Sequence, residues 1–322
     1  MIAMENRYLR VSILVDQGAD IYELRYKPLD VDVLWRAPQE LLPPGRNIAP
    51  TARAEGVFLD YLHGGWQEIL PNGHLNCEYK GASLGQHGEV SVLPWSVQVR
   101  EDTPEQVSVT LAVRTRRTPF YLERTMSLSR DDAVLTIEER VVNEGREPMD
   151  FMWGHHPAYG APFIAEGCEM KLPPGTRIHI PEGNRGAHCR YPAGVSSDWP
   201  IAPSLRSEDG GFARVDRILG PAFQSDDSFY MTVPEGWYEL HNPALELGLK
   251  MTWDAQVFPY VWCWQVYGGA FGYPYYGRTY NVAVEPFTSP IATLAENAAR
   301  GAARRLSPGE AIDTRLTVEM FR

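Results

Sequence analysis

The sequence has little of what marks a membrane protein, a secreted protein or a nucleic-acid-binding protein. No run approaches the ~18 consecutive apolar residues that a membrane span requires. Residues 1–15 carry charges at Glu5, Arg7 and Arg10 and lack an unbroken apolar stretch, which argues against a signal peptide. The formal net charge is −11, whereas a nucleic-acid binder needs a basic face to neutralise phosphates. We therefore expect neither a membrane nor a nucleic acid as partner.

Cysteine is also scarce, and its spacing carries no motif. The four cysteines include no C-x-x-C pair and no zinc-finger spacing. They are Cys77, Cys168, Cys189 and Cys263. Buried free thiols in a reducing compartment are the default interpretation, so we expect a cytoplasmic protein.

What the chain does contain is a repeated two-residue alternation of apolar and polar side chains. This alternation predicts strands over residues 105–116, 120–129 and 133–142, with a turn at residues 129–132 between the last two. Together with an ordinary composition of 44% hydrophobic and 22% charged residues, it favours a soluble all-β protein. We expect a large antiparallel β-sandwich that forms one domain over residues 1–322.

Two stretches depart from the strand pattern. Residues 161–235 are rich in Pro, Gly, Ser and Asp, and an irregular stretch of this length in a compact domain is often functional. Residues 292–304 are rich in alanine and predict a helix, although Gly301 weakens it.

Aromatic residues concentrate between residues 251 and 276. Phe258, Tyr260, Trp262 and Trp264 alternate along one strand. Aromatic rings with polar edges suit the half-apolar faces of sugars, whereas bulky strand residues more often pack inward. We interpret Phe258 and Trp262 as core residues.

Three polar residues lie where strand patterns are interrupted. Glu285 ends an alternating segment just before Pro286, and His156 and His87 occur in similarly interrupted segments upstream. A carboxylate at a strand end is held by rigid backbone and can still face a cleft. One glutamate with two distant histidines forms a plausible set for general acid–base catalysis without a cofactor.

Several short motifs occur in an order that matches a known family. They are residues 64–71 (GGWQEILP) with His87-Gly88-Glu89 and Trp95, residues 154–157 (GHHP), residues 225–229 (SDDSF), Trp253-Asp254 with residues 258–260 (FPY), residues 284–286 (VEP) and residues 306–310 (LSPGE). In this combination the chain resembles the aldose 1-epimerase (galactose mutarotase-like) superfamily, in its branch of diverged bacterial members.

The resemblance implies an enzyme that interconverts α and β anomers of a sugar through the open-chain aldehyde, with no metal or organic cofactor. It implies that Glu285 is the base and His156 the acid. His87 would be a further catalytic residue, which hydrogen-bonds the ring oxygen or a neighbouring hydroxyl and shares in protonation. Asp226 or Asp227 would bind sugar hydroxyls, as carboxylates offer two acceptor oxygens. Further candidates for substrate contacts are His155, His74, Gln265, Trp264 and Arg278. We expect a monomer or a homodimer.

The sequence leaves other functions open. The same fold could serve as a non-catalytic carbohydrate-binding or sensing protein. A glycoside hydrolase or lyase would need a second carboxylate beside Glu285, such as Asp226 or Glu89. A sugar-phosphate epimerase would need cations in the pocket, and Arg53, Lys80 and Arg278 are available. The Asn-Arg pair of the galactose enzymes is not evident ahead of the first histidine, so the identity of the sugar is open.

Overall fold

The computed structural model describes residues 1–39, 41, 58–183, 186–206 and 211–322. These residues form two large antiparallel sheets with short loops and small hairpins between them. Among them, no helix is long and apolar enough to cross a membrane. Arg53, one of the cations considered for a phosphate, lies outside the described residues.

The first sheet has eleven strands, and its central strands carry His156 and Glu285. Its strand order is β1-β2-β3-β5-β13-β23-β22-β19-β15-β16, with β4 paired to β3. The bounds are β1 Ile2–Glu5, β2 Leu9–Leu14, β3 Asp20–Tyr26, β4 Val31–Asp32, β5 Trp66–Ile69, β13 Gly154–Tyr159, β15 Arg177–His179, β16 Ser196–Asp198, β19 Ser225–Thr232, β22 Tyr260–Tyr267 and β23 Tyr280–Phe287.

The second sheet has eight strands in the order β14-β20-β21-β25-β11-β10-β9-β8. The bounds are β8 Ser96–Asp102, β9 Gln106–Arg114, β10 Phe120–Ser129, β11 Val134–Asn143, β14 Glu169–Lys171, β20 Trp237–Asn242, β21 Leu247–Trp253 and β25 Ala311–Phe321. Two-stranded pairs are β6 Cys77–Tyr79 with β7 Ala82–Leu84, β12 Met149–Phe151 with β24 Arg304–Leu306, and β17 Ile201–Pro203 with β18 Phe212–Arg214.

The predicted all-β sandwich is confirmed. The three strands expected between residues 105 and 142 correspond to β9, β10 and β11, where alternate residues face the core. Apolar side chains of both sheets fill a continuous core, as expected for two layers that each bury one face. Residues 161–235, predicted to be irregular, hold five three-residue strands before β19 begins.

The helix predicted over residues 292–304 is correct only in its first half. Helix α1 covers Leu294–Ala299, and its cap residue Thr293 accepts a hydrogen bond from the Glu296 backbone. Gly301 adopts a left-handed conformation with φ of 66°, and Arg304–Leu306 is already strand β24. The alanine content predicted too long a helix, because helix propensity carries no information on the pairing of β24 with β12.

Candidate functional site

The strand register brings the predicted acid–base residues together on one face of the first sheet. Gly154 pairs with Phe287 and Ala158 with Ala283, so His156 on β13 lies opposite Glu285 on β23. Opposite residues of paired strands share a face. The row continues to Gln67 on β5 and to Trp262 on β22. Residues 155 and 156 therefore face opposite sides of the sheet, as alternation requires.

Glu285 lies between two imidazoles. Its Oε1 is 3.5 Å from Nε2 of His156, and its Oε2 is 3.7 Å from Nε2 of His74. The Glu285 side chain is 2% exposed. Within the described part of the chain, Glu285 Oε2, His156 Nδ1 and His74 Nε2 have no hydrogen-bond partner. Buried polar atoms are nearly always paired in folded proteins, so this group is ready to bind a polar ligand.

His74 reaches the site from the loop that follows β5, and this loop is tightly held. The Asn72 side chain donates to the carbonyls of Leu75 and Gly85, at 2.7 and 2.8 Å. Its oxygen accepts from the Leu294 backbone at 2.8 Å. Gly73 has no room for a side chain, since an added Cβ would lie 2.5 Å from the Met152 methyl group. The loop therefore fixes the position of the neighbouring imidazole.

His87 approaches the same carboxylate from a second loop. Its ring centroid lies 5.1 Å from that of His156 and 5.6 Å from that of His74. The residue adopts a left-handed backbone with φ of 59°, a conformation that costs a non-glycine residue roughly 1–2 kcal/mol. Its backbone N–H donates to the Gly73 carbonyl at 2.7 Å, which ties the two histidine loops together. Strain of this kind is often retained at functional sites.

Burial shifts the proton affinities of all four groups. It raises the pKa of the Glu285 carboxyl well above its ordinary value. It lowers the pKa of His156 to about 4 and, together with the charge of His156, that of His74 to about 3. The pKa of His87 falls for the same reasons, mainly by burial. Ionisable groups with perturbed pKa values that share one cleft are typical of active sites.

Aromatic rings form the walls of the cleft, which has a volume of about 380 Å³. Ala158 and Ala283 pack in one buried cluster with Trp35, and Trp35 and Trp264 border the cleft in an edge-to-face pair 5.9 Å apart. The other lining side chains are Phe58, Leu59, Leu62, Gln67, Gln86, Asp226, Ser228, Trp262, Tyr273, Pro274 and Tyr275 with the three histidines and Glu285. Apolar walls with a few convergent polar groups are typical of small-molecule sites.

The structure partly corrects the interpretation of Phe258 and Trp262 as core residues. Phe258 is fully buried against Trp153, as predicted. Trp262 is also buried, but its ring lines the cleft and packs 4.7 Å from the His74 ring. Trp264, a predicted substrate contact, lines the cleft as well.

Of the two consecutive aspartates on β19, Asp226 lines the cleft and Asp227 does not. Asp226 accepts a hydrogen bond from the Trp264 indole at 3.0 Å. Asp227 points to the opposite face, where its oxygens accept from the backbone and the guanidinium of Arg190 at 2.6 Å. Gln265 accepts from the same guanidinium at 2.6 Å and is fully buried. Asp227 and Gln265 therefore lie away from the cleft, in contrast to the sugar contacts expected for them.

Three further candidates also lie outside the cleft. Arg278 is exposed and does not line it, and Lys80 pairs with Glu147 on the surface. Glu89 accepts hydrogen bonds from the backbones of Arg116 and Arg117, so it holds a loop. Arg278 therefore does not lie where the expected substrate contact would place it. Of Asp226 and Glu89, the two carboxylates considered as partners of Glu285 in a hydrolase, Asp226 lines the cleft and Glu89 does not.

His155 belongs to a polar network inside the sandwich and does not contact the cleft, which corrects its expected substrate contact. Its Nδ1 accepts from the Trp66 indole at 3.2 Å, and its Nε2 lies 3.0 Å from Glu139. Glu68 accepts from the Trp153 indole and from Arg124. Glu68, Glu139 and His155 are close enough together to hold a metal ion. Arg124 already supplies the positive charge there, so a resident cation does not fit.

Sequence reasoning missed part of the cleft wall. Trp35 and Phe58 enter from segments with no alternation, and only the folded structure brings them to the sheet. Ser228 follows Asp226 by two residues on β19 and so faces the same side. Gln67 could have been found, because it alternates with Glu68 in a motif and pairs with His156.

Comparisons with known proteins agree on the fold. The family described as a domain of unknown function (DUF4432) matches residues 1–188 and 200–320. No curated protein matches the chain.

Several solved structures are similar over nearly the whole chain. A Klebsiella pneumoniae protein, provisionally named an aldose 1-epimerase, is 15% identical with a TM-score of 0.72, covering 97% of this chain and 76% of its own. A galactose mutarotase related enzyme from Lactobacillus acidophilus is 19% identical with a TM-score of 0.64, covering 100% and 97%. A galactose mutarotase-like protein from Clostridium acetobutylicum is 16% identical with a TM-score of 0.64, covering 99% and 94%. These likenesses establish a galactose mutarotase-like β-sandwich, which is the fold that the resemblance implies.

Proposed function

We propose that the chain, which belongs to the DUF4432 family, is an aldose 1-epimerase that interconverts the α and β anomers of a sugar. The observation that carries the proposal is the Glu285 carboxylate between His156 and His74 in an aromatic-walled cleft. The names of the structural neighbours point the same way.

Ring opening needs one base and one acid at the anomeric carbon. The base takes the proton from the anomeric hydroxyl O1, and the acid protonates the ring oxygen O5. Glu285 and His156 supply both groups, because burial raises the pKa of the carboxyl and lowers that of the imidazole, so that the pair shares one proton, held at rest by Glu285. Transfer of that proton from Glu285 to His156 forms the reactive ion pair, in which Glu285 accepts the proton of O1 while His156 donates to O5. After rotation about the C1–C2 bond the same steps run in reverse.

The remaining groups bind and orient the sugar. Trp35 and Trp264 offer apolar surface to the C–H face of the ring, and Asp226 offers carboxylate oxygens to its hydroxyls. His87 lies beside His156 and assists at O5. None of these steps needs a cofactor.

Exchange NMR with a panel of free aldoses tests the proposal. The wild type should accelerate exchange between anomer signals above the spontaneous rate. Glu285→Gln should lower the catalysed rate about 10²–10⁴-fold and retain sugar binding, because it removes the base and keeps the shape of the side chain. Glu105→Gln, at an exposed carboxylate outside the cleft, is the matched control. Saturable binding without catalysed exchange would instead identify a carbohydrate-binding protein.

A further inference from the structure

His74 and Glu285 face each other across a gap too wide for a direct hydrogen bond. Their facing atoms, Nε2 and Oε2, are 3.7 Å apart, which is beyond hydrogen-bond length. Neither atom has another partner among the described residues. An oxygen atom about 2.8 Å from both would complete two hydrogen bonds at once.

A sugar hydroxyl has the right chemistry for this gap. It carries one O–H donor and two acceptor lone pairs, so it can donate to Glu285 and accept from His74 together. His74 can act as the donor because its lowered pKa keeps the imidazole neutral, with one N–H. The ring cannot easily turn away, since it packs 4.7 Å from the Trp262 ring and 5.1 Å from the Phe287 ring.

The group beside Oε1 of Glu285 indicates which sugar hydroxyl binds at Oε2. In the proposed reaction His156, beside Oε1, serves the ring oxygen O5. O1 and O5 are bonded to the same carbon, so O1 lies close to the second carboxylate oxygen, Oε2. We propose that His74 is a catalytic residue that binds O1 and stabilises the negative charge that O1 gains as Glu285 removes its proton. Preorganised donors at a developing oxyanion are among the larger contributions to catalysis.

This inference rests on the proposed function, because it assumes that the anomeric carbon lies at Glu285. Other ionisable groups around this carboxylate are His156 and His87 in the cleft, and Cys263 and Tyr238 on the far side of the sheet. Each of these stays in place when only His74 is changed.

The test compares sugars that differ only at O1. D-glucose, D-galactose and D-xylose are titrated calorimetrically beside their 1,5-anhydroalditols, which lack this hydroxyl. His74→Phe keeps the ring packing and removes the donor. It should weaken binding of the free sugar by about 2- to 12-fold, the worth of one hydrogen bond, and leave the anhydroalditol unchanged. His74→Gln, which retains an N–H donor, should recover part of the affinity, and His241→Phe on the second sheet is the control.

The outcomes separate this proposal from the function on which it rests. Equal weakening of both ligands by His74→Phe, or weakening of neither, would overturn the O1 contact even if the wild type catalyses exchange. Selective weakening in a wild-type background that binds sugar without catalysing exchange would support the contact and refute the epimerase. Absence of saturable binding by the wild type to any of the sugars would overturn both.

Discussion

Replacing Glu68 by glutamine tests whether the network behind the cleft holds a proton at neutral pH. The neighbouring charges of Glu139 and Glu68 outweigh burial and raise the pKa of His155. The geometry nevertheless assigns a neutral imidazole, because the Trp66 indole can only donate and Nδ1 of His155 must then carry a lone pair. Nε2 then donates to Glu139. With Arg124 as the positive charge, the network is neutral only if one of its two carboxyl groups is protonated. Burial and the neighbouring charge of Glu139 assign that proton to Glu68, whose pKa rises to about 8.

The expected effect on stability follows from this pKa. In the unfolded chain Glu68 loses its proton near pH 4.5, whereas in the folded protein it keeps the proton up to about pH 8. Its contribution is therefore fully present below pH 4.5 and lost as pH rises toward 8. Across that window the extra proton in the folded state makes the free energy of unfolding fall by about 1.4 kcal/mol for each unit that pH rises. The glutamine amide of the variant cannot titrate, so Glu68→Gln lacks this slope.

Urea unfolding of the wild type and Glu68→Gln at pH 5.5, 6.5 and 7.5 measures the difference. The variant should gain stability relative to the wild type as pH rises, by about 1–3 kcal/mol over the two units. Glu105→Gln, at an exposed carboxylate, should follow the wild type. If Glu68→Gln also follows the wild type with a constant offset, Glu68 is ionised in the folded protein and the proton assignment is refuted.

Three other outcomes are expected. Arg190→Met should lower the free energy of unfolding in urea by about 3–5 kcal/mol, because it leaves the Asp227 carboxylate buried and unpaired. Adding Asp227→Asn should restore part of that loss, and a double variant as unstable as the single one would contradict the pairing. Gly73→Ala should cost about 1–3 kcal/mol in thermal unfolding and weaken sugar binding, since its Cβ would overlap the Ala292 carbonyl oxygen and a buried methionine beside the His74 loop. The anomer exchange rate should show a bell-shaped dependence on pH, because Glu285 and His156 together gain a second proton at low pH and lose their shared proton at high pH. A flat profile would exclude these two residues as the acid and the base.

The strands, and the histidine and glutamate of the first sheet that are proposed for acid–base chemistry, could be predicted from the sequence. Period-two alternation locates β9 to β11, and it also states that His155 and His156 face opposite sides. Alternation alone does not say which side is the cleft. That choice depends on what covers each face, and the same ambiguity made Asp226 and Asp227 equivalent in the sequence.

The walls of the cleft could not be predicted in the same way. Trp35 and Phe58 come from segments without periodicity, and their contacts with β22 and the His87 loop are purely tertiary. Arg190 is a residue whose burial could not be predicted from the sequence. It lies in a loop, where a cation is normally solvated, yet its side chain is 1% exposed and holds Asp227 and Gln265 away from the cleft.

The hydrogen-bond partners of the central histidine and glutamate differ between the two faces of the first sheet, although the residue types are the same. Both faces carry a histidine and a glutamate. On the interior face, His155 and Glu68 find indole and guanidinium partners, and the unpaired atoms of their network, Glu139 Oε1 and Arg124 Nε, belong to their charged neighbours. On the cleft face, His156 and Glu285 have buried atoms without a partner in the described chain. An unpaired buried polar atom costs about 1–3 kcal/mol, so the cleft carries a cost in the free protein that a bound ligand would remove. That difference argues for ligand binding at Glu285 and against it at Glu68, although each cluster joins imidazole and carboxylate.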